Sequence, residues 1–479
     1  MKLREILGGI EYESFADLDA EIGGISYDSR TTKPGDLFVA IKGFESDGHK
    51  YIPMALEKGA VCVLCEEKPD SDSPYVISTN TRRALSVASA NFFGRPADKM
   101  KIVGITGTNG KTTTTNLIKT IIEKSTGSKV GLIGTIGNMI GDKLTEAERT
   151  TPESYELQKM FREMLDAGCE YVVMEVSSHA LSLDRVYGVT FEVGVFTNLT
   201  QDHLDFHKTM DAYAEAKALL FKQCRFGAVN MDDEYAKVMI DAAECPILTF
   251  SAEKTEADLC AVDIKLKSDG VKFCALTIGQ LKKIKMGIPG MFSVYNALSA
   301  AAAAMKLGIS LGDIAEALSN TEGVKGRAEV VPTGRDFTIL IDYSHTPDAV
   351  ENILNTVKGF AQGCTVILFG CGGDRDRTKS PIMGKIAVDM ADFAIITSDN
   401  PRTEEPSQII NDILEGVKGT KTPYVVIENR KEAIGWAIEN AQPGDVIVLA
   451  GKGHETYQII GKTKNHFDER EIVAEFLAQ

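Results

Sequence analysis

A single stretch, KIVGITGTNGKTTTTNLIKTII at residues 101–122, constrains the fold of this chain more than any other. It begins as an apolar strand, and a glycine-rich turn separates that strand from a helical pattern. The apolar stripe of the helix consists of Leu117, Ile118, Ile121 and Ile122. Such a turn presents backbone N–H groups and a helix N-terminus to phosphates, so we predict a phosphate-binding loop rather than a simple strand-to-helix connection. Lys111 is expected to reach the β and γ phosphate oxygens, and Thr112 to bind Mg²⁺.

The rest of the chain repeats this alternation of strands and helices. From residue 99 to about 325, the apolar runs KIVGIT, VGLIGTI, YVVMEV and VGVFTN alternate with helical patterns, which predicts a βαβ sheet. Residues 326–479 contain FTILIDYSHTPD, TVILFGCGGDRD, ADFAIITSDNPR and DVIVLAGKGHE, each an apolar strand that runs into a polar loop. Parallel sheets bind ligands at the carboxyl ends of their strands, so these loops are expected to line one crevice. Residues 1–98 are predicted to form a separate mixed α/β domain.

Length and charge limit the classes of protein. At 479 residues the chain exceeds what one hydrophobic core supports, and roughly three domains are expected. A composition of 43% hydrophobic and 25% charged residues is ordinary for a globular protein. The formal charge of −16 argues against a nucleic-acid partner and against an anionic membrane surface. No segment approaches the roughly 20 apolar residues that span a bilayer and none resembles a signal peptide, so we expect no membrane insertion.

The cysteines are scattered along the chain. There are nine of them without a disulfide framework, which fits a reducing environment, and we predict a cytoplasmic protein. Cys62 and Cys65 form a CxxC pair inside the strand-like run AVCVLC, but no second pair follows at zinc-finger spacing. We predict structural burial for this pair, with a metal or redox role as the alternative.

Several polar residues suggest chemistry, and each also has a structural interpretation. Glu175 follows the apolar run YVVM and is either a Mg²⁺ ligand or a solvated charge at a strand end. Asn198 and His203 cluster in FTNLTQDHLDFH, where the histidine is either a ligand or a structural residue. Lys217 lies beside the apolar stripe of a predicted helix. Either its long stem snorkels, or CO₂ converts the amine to a carbamate, an anion that binds Mg²⁺.

Taken together, these segments resemble the Mur ligases, the ATP-dependent amide-forming enzymes of peptidoglycan synthesis. TGTNGKTTT is similar to the phosphate loop of that family, including its departure at Ile105 from the strict G-x4-G-K-[ST] pattern. EVSSHAL, FTNLTQDHLDFH, the helix with Lys217 and GMFSVYNALSAAAA match in the same order, and the resemblance extends over nearly the whole chain. YDSRTTKPGDLFVAIKGFESDGHKYIPMALEKGA resembles the UDP-sugar-binding domain of the diaminopimelate-adding members.

The resemblance implies a fold and an activity. It implies three α/β domains: a UDP-sugar-binding domain at 1–98, a central P-loop mononucleotide-binding domain at 99–325, and a Rossmann-like amino-acid-binding domain at 326–479. The implied enzyme uses ATP and an acyl-phosphate intermediate to join meso-diaminopimelate to the D-glutamate γ-carboxylate of UDP-N-acetylmuramoyl-L-alanyl-D-glutamate. Mg²⁺ is the implied cofactor, and a monomer is expected.

The resemblance also assigns roles to individual residues. The implied ATP-binding residues are Gly107, Thr108, Asn109, Gly110, Lys111, Thr112, Thr113, Asn198, Asn296, Arg327 and Asp342. The residues implied for the UDP-sugar-dipeptide are Ser29, Thr150, Thr151, Ser177 and Arg185. The implied Mg²⁺ ligands are Thr112, Glu175, His203 and Lys217 as N6-carboxylysine, and the implied catalytic residues are Lys111, Glu175, His203 and Lys217. Leu183 departs from the family, because some members have a glutamine there, and this weakens one substrate contact.

The stretch SDNPRTEE at residues 398–405 carries the implied choice of amino acid. Diaminopimelate differs from lysine by a carboxylate at its far end, and a guanidinium grips a carboxylate through two parallel hydrogen bonds. DNPR is the form associated with diaminopimelate-adding members, and lysine-adding members lack the arginine. The implied diaminopimelate-binding residues are Arg375, Asp399, Asn400, Pro401, Arg402, Gly451 and Glu455.

Other functions stay open on the sequence. The nearest is the same ligase chemistry with L-lysine as acceptor. Folylpolyglutamate synthetase shares the ATPase core but should lack the DSR…PGDLFVA domain, which is present here. A P-loop ATPase of unrelated role predicts nucleotide hydrolysis without an amino-acid substrate, and it gives no role to the polar loops of residues 326–479.

Overall fold

The predicted α/β fold class is confirmed. A computed structural model describes residues 1–43, 46–70, 72–147, 149–267, 269–319, 321 and 323–478, and its sheets are covered by helices. The chain divides into two compact units, Met1–Phe250 with Ser299–Ser310, and Ser251–Leu298 with Leu311–Gln479. The domain boundaries at residues 98 and 325 stay a prediction. In the described part of the chain, no helix combines the length and the apolar character that crossing a membrane requires.

The N-terminal part of the first unit is a mixed sheet with the strand order β1-β5-β4-β3-β2. Its strands are β1 (Glu13–Ser14), β2 (Gly24–Ser26), β3 (Asp36–Val39), β4 (Cys62–Cys65) and β5 (Tyr75–Ile77). Its helices are α1 (Leu3–Ile6), α2 (Ile52–Glu57) and α3 (Thr81–Phe92). Both cysteines of the CxxC pair are buried in β4, and burial raises the thiol pKa to about 12 for Cys62 and about 11 for Cys65. The predicted structural burial of this pair is therefore confirmed.

The second sheet of this unit has the order β13-β12-β11-β6-β10-β7-β8-β9. Its strands are β6 (Lys101–Thr106), β7 (Val130–Ile133), β8 (Asn138–Ile140), β9 (Lys143–Thr145), β10 (Tyr171–Glu175), β11 (Phe191–Phe196), β12 (Cys224–Asn230) and β13 (Ile247–Ser251). Strands β11, β6, β10 and β7 are parallel neighbours, as the apolar runs predict. Their carboxyl ends therefore share one edge of the sheet, and the loops that carry candidate residues leave from it.

Helices connect the strands of this second sheet. They are α4 (Lys111–Thr126), α5 (Ser154–Asp166), α6 (Ser178–Ser182), α7 (Leu204–His207), α8 (Met210–Ala218) and α9 (Ala236–Ala242). Helix α4 lies between two left-handed glycines, Gly110 with φ +85° and Gly127 with φ +72°. Glycine adopts this conformation without steric cost, which fixes where the helix begins and where it ends. Thr209 caps α8 by accepting a hydrogen bond from the backbone N–H of Ala212.

The second unit begins with antiparallel strands and continues with a mostly parallel sheet. The antiparallel strands are β14 (Leu259–Lys267), β15 (Gly270–Thr277) and β16 (Gln280–Met286). Two helices follow, α10 (Met291–Lys306) and α11 (Leu311–Ser319). The parallel sheet has the order β17-β18-β22-β19-β20-β21, with β17 antiparallel at its edge. Residues 297–305 of α10 are buried nearly throughout, as expected for a small-apolar run.

The elements of this sheet follow the predicted rhythm. The strands are β17 (Glu329–Val331), β18 (Thr338–Asp342), β19 (Thr365–Phe369), β20 (Phe393–Ile396), β21 (Tyr424–Val426) and β22 (Val446–Ala450), followed by the hairpin β23 (Tyr457–Ile460) and β24 (Thr463–His466). The helices are α12 (Pro347–Lys358), α13 (Lys379–Met390), α14 (Pro406–Val417), α15 (Arg430–Asn440) and α16 (Glu469–Leu477). Strands β18, β22, β19 and β20 are parallel neighbours. The prediction that the loops after these strands leave from one edge of the sheet is therefore confirmed.

Candidate active site

The glycine-rich loop between β6 and α4 has the conformation that its sequence predicts. Gly107 has φ +150°, and a Cβ at this position would overlap Thr197 Oγ1, so only glycine fits. Lys111 is the first residue of α4, and its Nζ donates hydrogen bonds to the carbonyl oxygens of Gly107 at 2.8 Å and Thr108 at 2.9 Å. Its ammonium therefore lies over the loop, at the N-terminus of a helix, where anions are favoured.

Asn198 braces the loop from the end of β11. Its Oδ1 accepts a hydrogen bond from the backbone N–H of Asn109 at 2.9 Å, and its Nδ2 donates to the Asn109 carbonyl oxygen at 3.1 Å. The backbone N–H of Thr108 donates to the Asn198 carbonyl oxygen at 2.9 Å. Both sides of the loop are thus tied to a neighbouring strand. Asn198 thus contacts the backbone of the phosphate loop, and its contact with ATP stays a prediction.

Glu175 lies at the carboxyl end of β10 and is buried beside the start of α4. Thr112 Oγ1 donates a hydrogen bond to its Oε1 at 2.9 Å. Thr135 donates to the same carboxylate from its backbone N–H at 3.0 Å and from its Oγ1 at 3.0 Å. A hydroxyl and a carboxylate next to a phosphate loop form the oxygen donor set that Mg²⁺ prefers. Thr135 was not predicted from the sequence, because no local pattern around it indicates that it lies beside Glu175 of another strand.

Lys217 is buried in α8, with 1% of its surface exposed. Its Nζ donates a hydrogen bond to the carbonyl oxygen of Gly107 at 2.8 Å and lies 4.4 Å from the centre of the Tyr213 ring. Burial lowers the pKa of this amine well below its usual value, and the nearby Lys111 lowers it further, while Asp202 opposes the shift. The snorkelling alternative is therefore wrong, because the amine end of the side chain is itself buried.

His203 lies in the loop between β11 and α8, with φ +53°. Its ring contacts the ring of His179, with centroids 4.8 Å apart, and the ring of Tyr213 at 6.1 Å. Lys217 and His203 thus contact the same Tyr213 side chain. Within the described residues, no group of three or more His, Cys, Asp and Glu side chains is arranged to hold a metal. The Mg²⁺ ligand set of Glu175, His203 and modified Lys217 stays a prediction.

Four of the five residues predicted for the sugar-dipeptide lie around the end of β10, namely Thr150, Thr151, Ser177 and Arg185. Thr151 Oγ1 donates to the carbonyl oxygen of Glu175 at 2.8 Å and accepts from the backbone N–H of Ser177 at 3.0 Å. Arg185 donates through Nη1 to the carbonyl oxygen of Thr151 at 3.2 Å. Thr150 Oγ1 lies 2.9 Å from Thr135 Oγ1, and the Arg185 Nε lies 3.2 Å from the buried carboxylate of Glu153. Ser29 lies in the N-terminal sheet region, where its Oγ donates to Met54 Sδ at 3.3 Å.

A second group of candidates meets in the second unit, where the loops after β20 and β22 make contact. Asn400 Nδ2 donates to Glu455 Oε2 at 2.9 Å. Lys452 Nζ donates to Asn400 Oδ1 at 3.1 Å and to Glu455 Oε2 at 3.2 Å. We call these residues, together with Asp399, Arg402 and Gly451, the acceptor pocket. The sequence analysis did not single out Lys452, although the signal was present as the lysine of GKGHE.

Gly451 lies directly beside the carboxylate of Asp399 in the acceptor pocket. Asp399 is 7% exposed, and its Oδ2 is buried without a hydrogen-bond partner among the described residues. Gly451 has φ +114°, and a Cβ there would lie 2.5 Å from that same oxygen. A buried carboxylate oxygen costs free energy unless a donor reaches it. A side chain at position 451 would therefore clash with the Asp399 carboxylate, and the binding of diaminopimelate by Asp399 and Gly451 stays a prediction.

Arg402 follows Asn400 and the buried Pro401, and it has φ +52°. Its Nη1 donates to the Gly373 carbonyl oxygen at 2.6 Å, and its backbone N–H donates to the carbonyl oxygen of Ile459 at 3.1 Å. A Cβ on Gly372 would lie 3.0 Å from Arg402 Nη1 and 3.9 Å from Arg375 Cγ, so the two arginines flank one glycine. The structure thus brings the predicted guanidinium groups to the same loop, the one that follows β19.

The remaining predicted nucleotide residues lie in the second unit. Asp342 ends β18, and its carboxylate accepts hydrogen bonds from the backbone N–H groups of Ala328 at 2.7 Å and Ser344 at 2.9 Å. The guanidinium carbon of Arg327 lies 5.1 Å from the centre of the Tyr343 ring. Asn296 is buried in α10. Contact of Asn296, Arg327 and Asp342 with a nucleotide stays a prediction.

Comparison with known proteins identifies the family of this chain. Family models match residues 21–93 (Mur ligase family, catalytic domain), 105–304 (Mur ligase middle domain) and 326–453 (Mur ligase, glutamate ligase domain). These three models, together with relatives that are 49% identical over the whole chain, show that this chain belongs to the Mur ligase family.

Two curated relatives and one solved structure show what the whole chain is similar to. The chain is 49% identical to the UDP-N-acetylmuramoyl-L-alanyl-D-glutamate–2,6-diaminopimelate ligase 1 of Clostridium acetobutylicum, with 100% of both chains covered. It is also 49% identical to the corresponding ligase of Caldanaerobacter subterraneus subsp. tengcongensis, with 100% of this chain and 99% of the relative covered. A solved structure of a UDP-N-acetylmuramoyl-L-alanyl-D-glutamate–2,6-diaminopimelate ligase matches with a TM-score of 0.75 and 34% identity, covering 100% of this chain and 99% of that one.

Proposed function

We propose that this chain joins meso-diaminopimelate to the D-glutamate γ-carboxylate of UDP-N-acetylmuramoyl-L-alanyl-D-glutamate, with ATP consumed, as a step of peptidoglycan synthesis. One observation carries the choice of amino acid. The acceptor pocket combines a guanidinium, Arg402, with the carboxylates of Asp399 and Glu455, which matches the carboxylate and the ammonium at one end of diaminopimelate. The printed names of the relatives support the same substrates.

The first chemical step activates the carboxylate. The γ-carboxylate oxygen forms a bond to the γ-phosphorus of ATP, and the bond between that phosphorus and the β-γ bridging oxygen breaks, so ADP leaves with the electron pair. Two anions approach each other in this step, and the Lys111 ammonium over the loop offsets their repulsion. Thr112 and Glu175 are the residues that fit Mg²⁺, which when bound would neutralise phosphate charge.

The second step forms the amide. The amine of diaminopimelate adds to the carbonyl carbon of the acyl phosphate, and the tetrahedral intermediate collapses with loss of inorganic phosphate and a proton. The chain's own residues position the reactants, and no side chain needs to act as a covalent nucleophile. In this proposal Thr151, Ser177 and Arg185 hold the sugar-dipeptide near the end of β10.

The proposal includes a carbamate on Lys217. The lowered pKa of this buried amine favours its neutral form, whose nitrogen lone pair can attack CO₂, forming an N–C bond and releasing a proton. The resulting anion, with Glu175 and His203, would hold a second Mg²⁺. The proposal further includes a monomer that works in the cytoplasm, which the scattered cysteines of the sequence fit.

The decisive experiment measures phosphate release in the presence of ATP and UDP-N-acetylmuramoyl-L-alanyl-D-glutamate while the amino acid is varied. We expect release and a tripeptide product with meso-diaminopimelate, and much less of both with L-lysine or without an amino acid. Equal release with and without an acceptor would leave a P-loop ATPase and exclude the ligase. The ligase chemistry is the same for both acceptors. If L-lysine is turned over as fast as meso-diaminopimelate, the lysine-adding activity would instead be supported.

A further inference from the structure

One residue of the acceptor pocket is a fully buried lysine. Lys452 has none of its surface exposed, although it is a charged residue in the loop after β22. Its Nζ contacts Asn400 Oδ1 at 3.1 Å, Glu455 Oε2 at 3.2 Å and Asp399 Oδ1 at 4.0 Å. Burial of an ammonium is costly unless polar groups surround it, and here the surrounding groups belong to the pocket. The polar groups that compensate the burial of the Lys452 ammonium are therefore residues of the acceptor pocket.

Lys452 also fixes which way the Asn400 amide points. Asn400 Oδ1 accepts hydrogen bonds from Lys452 Nζ at 3.1 Å and from the backbone N–H of Ile459 at 2.9 Å. Two donors require an acceptor at that atom, so the amide nitrogen must face the other side. There it donates to Glu455 Oε2 at 2.9 Å. Lys452, Asn400 and Glu455 thus form a closed triangle of hydrogen bonds in which each side chain orients the next.

The triangle leaves specific oxygens for a ligand. Both donors to the Glu455 carboxylate use Oε2, and no hydrogen bond from the described residues reaches its Oε1. Asp399 Oδ2 is likewise buried without a partner among those residues, on the side that Gly451 keeps clear. Lys452 lies near Oε2 of Glu455 and Oδ1 of Asp399, and no donor among the described residues reaches the other oxygen of either carboxylate.

We propose that Lys452 is a positioning residue: it orients Asn400, Glu455 and Asp399 so that the pocket receives the ammonium at the far end of the acceptor amino acid. This inference rests on the proposed function and deepens it, because it explains how the pocket distinguishes an ammonium-bearing end from an uncharged one. The charge of Lys452 leaves the three ionic groups with a net charge of −1, which one ligand ammonium balances.

The test compares Lys452→Met with Lys452→Arg. Methionine fills nearly the same volume without charge or donors, whereas arginine keeps both but is larger and planar. If Lys452 positions the pocket, kcat/KM for meso-diaminopimelate falls by about tenfold to a hundredfold in Lys452→Met, and Lys452→Arg retains more activity. If the side chain only fills space, Lys452→Met is the more active variant. The exposed Lys462 in the β23–β24 turn provides the control Lys462→Met, which should match the wild type.

A second readout separates positioning from general damage. In Lys452→Met, KM for the acceptor should rise, while KM for ATP and for the UDP-sugar-dipeptide stays within about twofold of the wild type. Discrimination between meso-diaminopimelate and 2-aminopimelate, which lacks the far ammonium, should fall by about tenfold or more. Unchanged discrimination in a variant that melts like the wild type would overturn the inference. If Lys452→Met does not fold, the same ratio is measured in Lys452→Gln, which also lacks the charge, and an unchanged value there has the same consequence.

The two proposals fail in different ways. A wild-type enzyme that does not use meso-diaminopimelate contradicts the proposed function before any variant is made. If the wild type does use meso-diaminopimelate, and Lys452→Met equals Lys462→Met in both readouts, only the proposed role of Lys452 is contradicted.

Discussion

Lys217 Nζ lies 2.8 Å from the carbonyl oxygen of Gly107, so a buried amine of α8 contacts the phosphate loop directly. The same loop receives Lys111 Nζ at the same carbonyl oxygen, also at 2.8 Å. Two amines that share one acceptor repel each other if both are charged, and this repulsion adds to burial in lowering the pKa of Lys217. Conversion of one amine to an anion would replace this repulsion with attraction.

The first prediction concerns the removal of this amine. Lys217→Ala should lower ligase activity by about a hundredfold or more, because the variant cannot form the carbamate that would hold Mg²⁺ next to the phosphates. Short carboxylic acids added to the variant should restore part of the activity by supplying the missing carboxylate. Lys222→Ala, an exposed lysine just beyond α8, is the matched control and should be fully active. The absence of rescue over a range of acids would count against the carbamate.

The second prediction concerns the guanidinium of the acceptor pocket. Arg402→Ala should cost about 2 to 4 kcal/mol of transition-state stabilisation with meso-diaminopimelate, because a carboxylate of the acceptor loses its charged partner. The measurement is kcat/KM for that acceptor. Arg377→Ala removes an exposed arginine that pairs with Asp412, and should change little. An unchanged kcat/KM in Arg402→Ala would remove the assignment of this residue.

The third prediction tests the room next to Asp399. Gly451→Ala places a methyl group 2.5 Å from Asp399 Oδ2, so we expect the acceptor KM to rise by about tenfold or more. The control is Gly419→Ala, where φ is +79° but nothing lies within 4 Å. Both substitutions carry the strain of a positive φ, about 1 kcal/mol, and only one fills the pocket. Equal acceptor KM values in the two variants would show that strain, rather than lost space, is responsible.

The fourth prediction concerns stability against acid. Burial, together with the charges of Arg327, Arg470 and His345, lowers the pKa of His454 from 6.5 to about 4. Between these pH values the unfolded chain binds a proton that the folded chain does not, so the free energy of unfolding falls as the pH falls from 6.5 to 4. Denaturant titrations over this range should show a weaker pH dependence for His454→Asn than for the wild type.

The exposed His466 supplies the control for this experiment. The hydrogen bond that its ring donates to the Glu471 carboxylate raises its pKa, so its contribution to stability is present below its usual pKa and is lost as the pH rises. His466→Asn should therefore leave the loss of stability on acidification in place. If His454→Asn and the wild type lose stability in parallel, the buried histidine is not its source.

Local patterns were sufficient for much of the fold and part of the site. Lys111 and Thr112 follow a strand and a glycine turn within a few residues, so their positions at the start of α4 could be predicted. Glu175 could be singled out because it follows a buried apolar strand, and a strand end in a parallel sheet lies at the ligand edge, whereas Asp342 was indicated only by the family resemblance. By contrast, nothing near Thr135 or Lys452 in the sequence indicates which carboxylate each one contacts.

The sequence by itself determined which segments are strands, which are helices, and which polar residues stand at the strand ends, because periodicity and turn chemistry act over a few neighbouring residues. Only the tertiary structure decided which of those ends meet. Strand β22 pairs between β18 and β19, and this brings Lys452 and Glu455 to Asn400 from a distant part of the chain. The burial of Lys217 and Lys452 was decided in the same way. The cost of burying a charge depends on every group packed around it, and those groups come from segments far apart in the sequence.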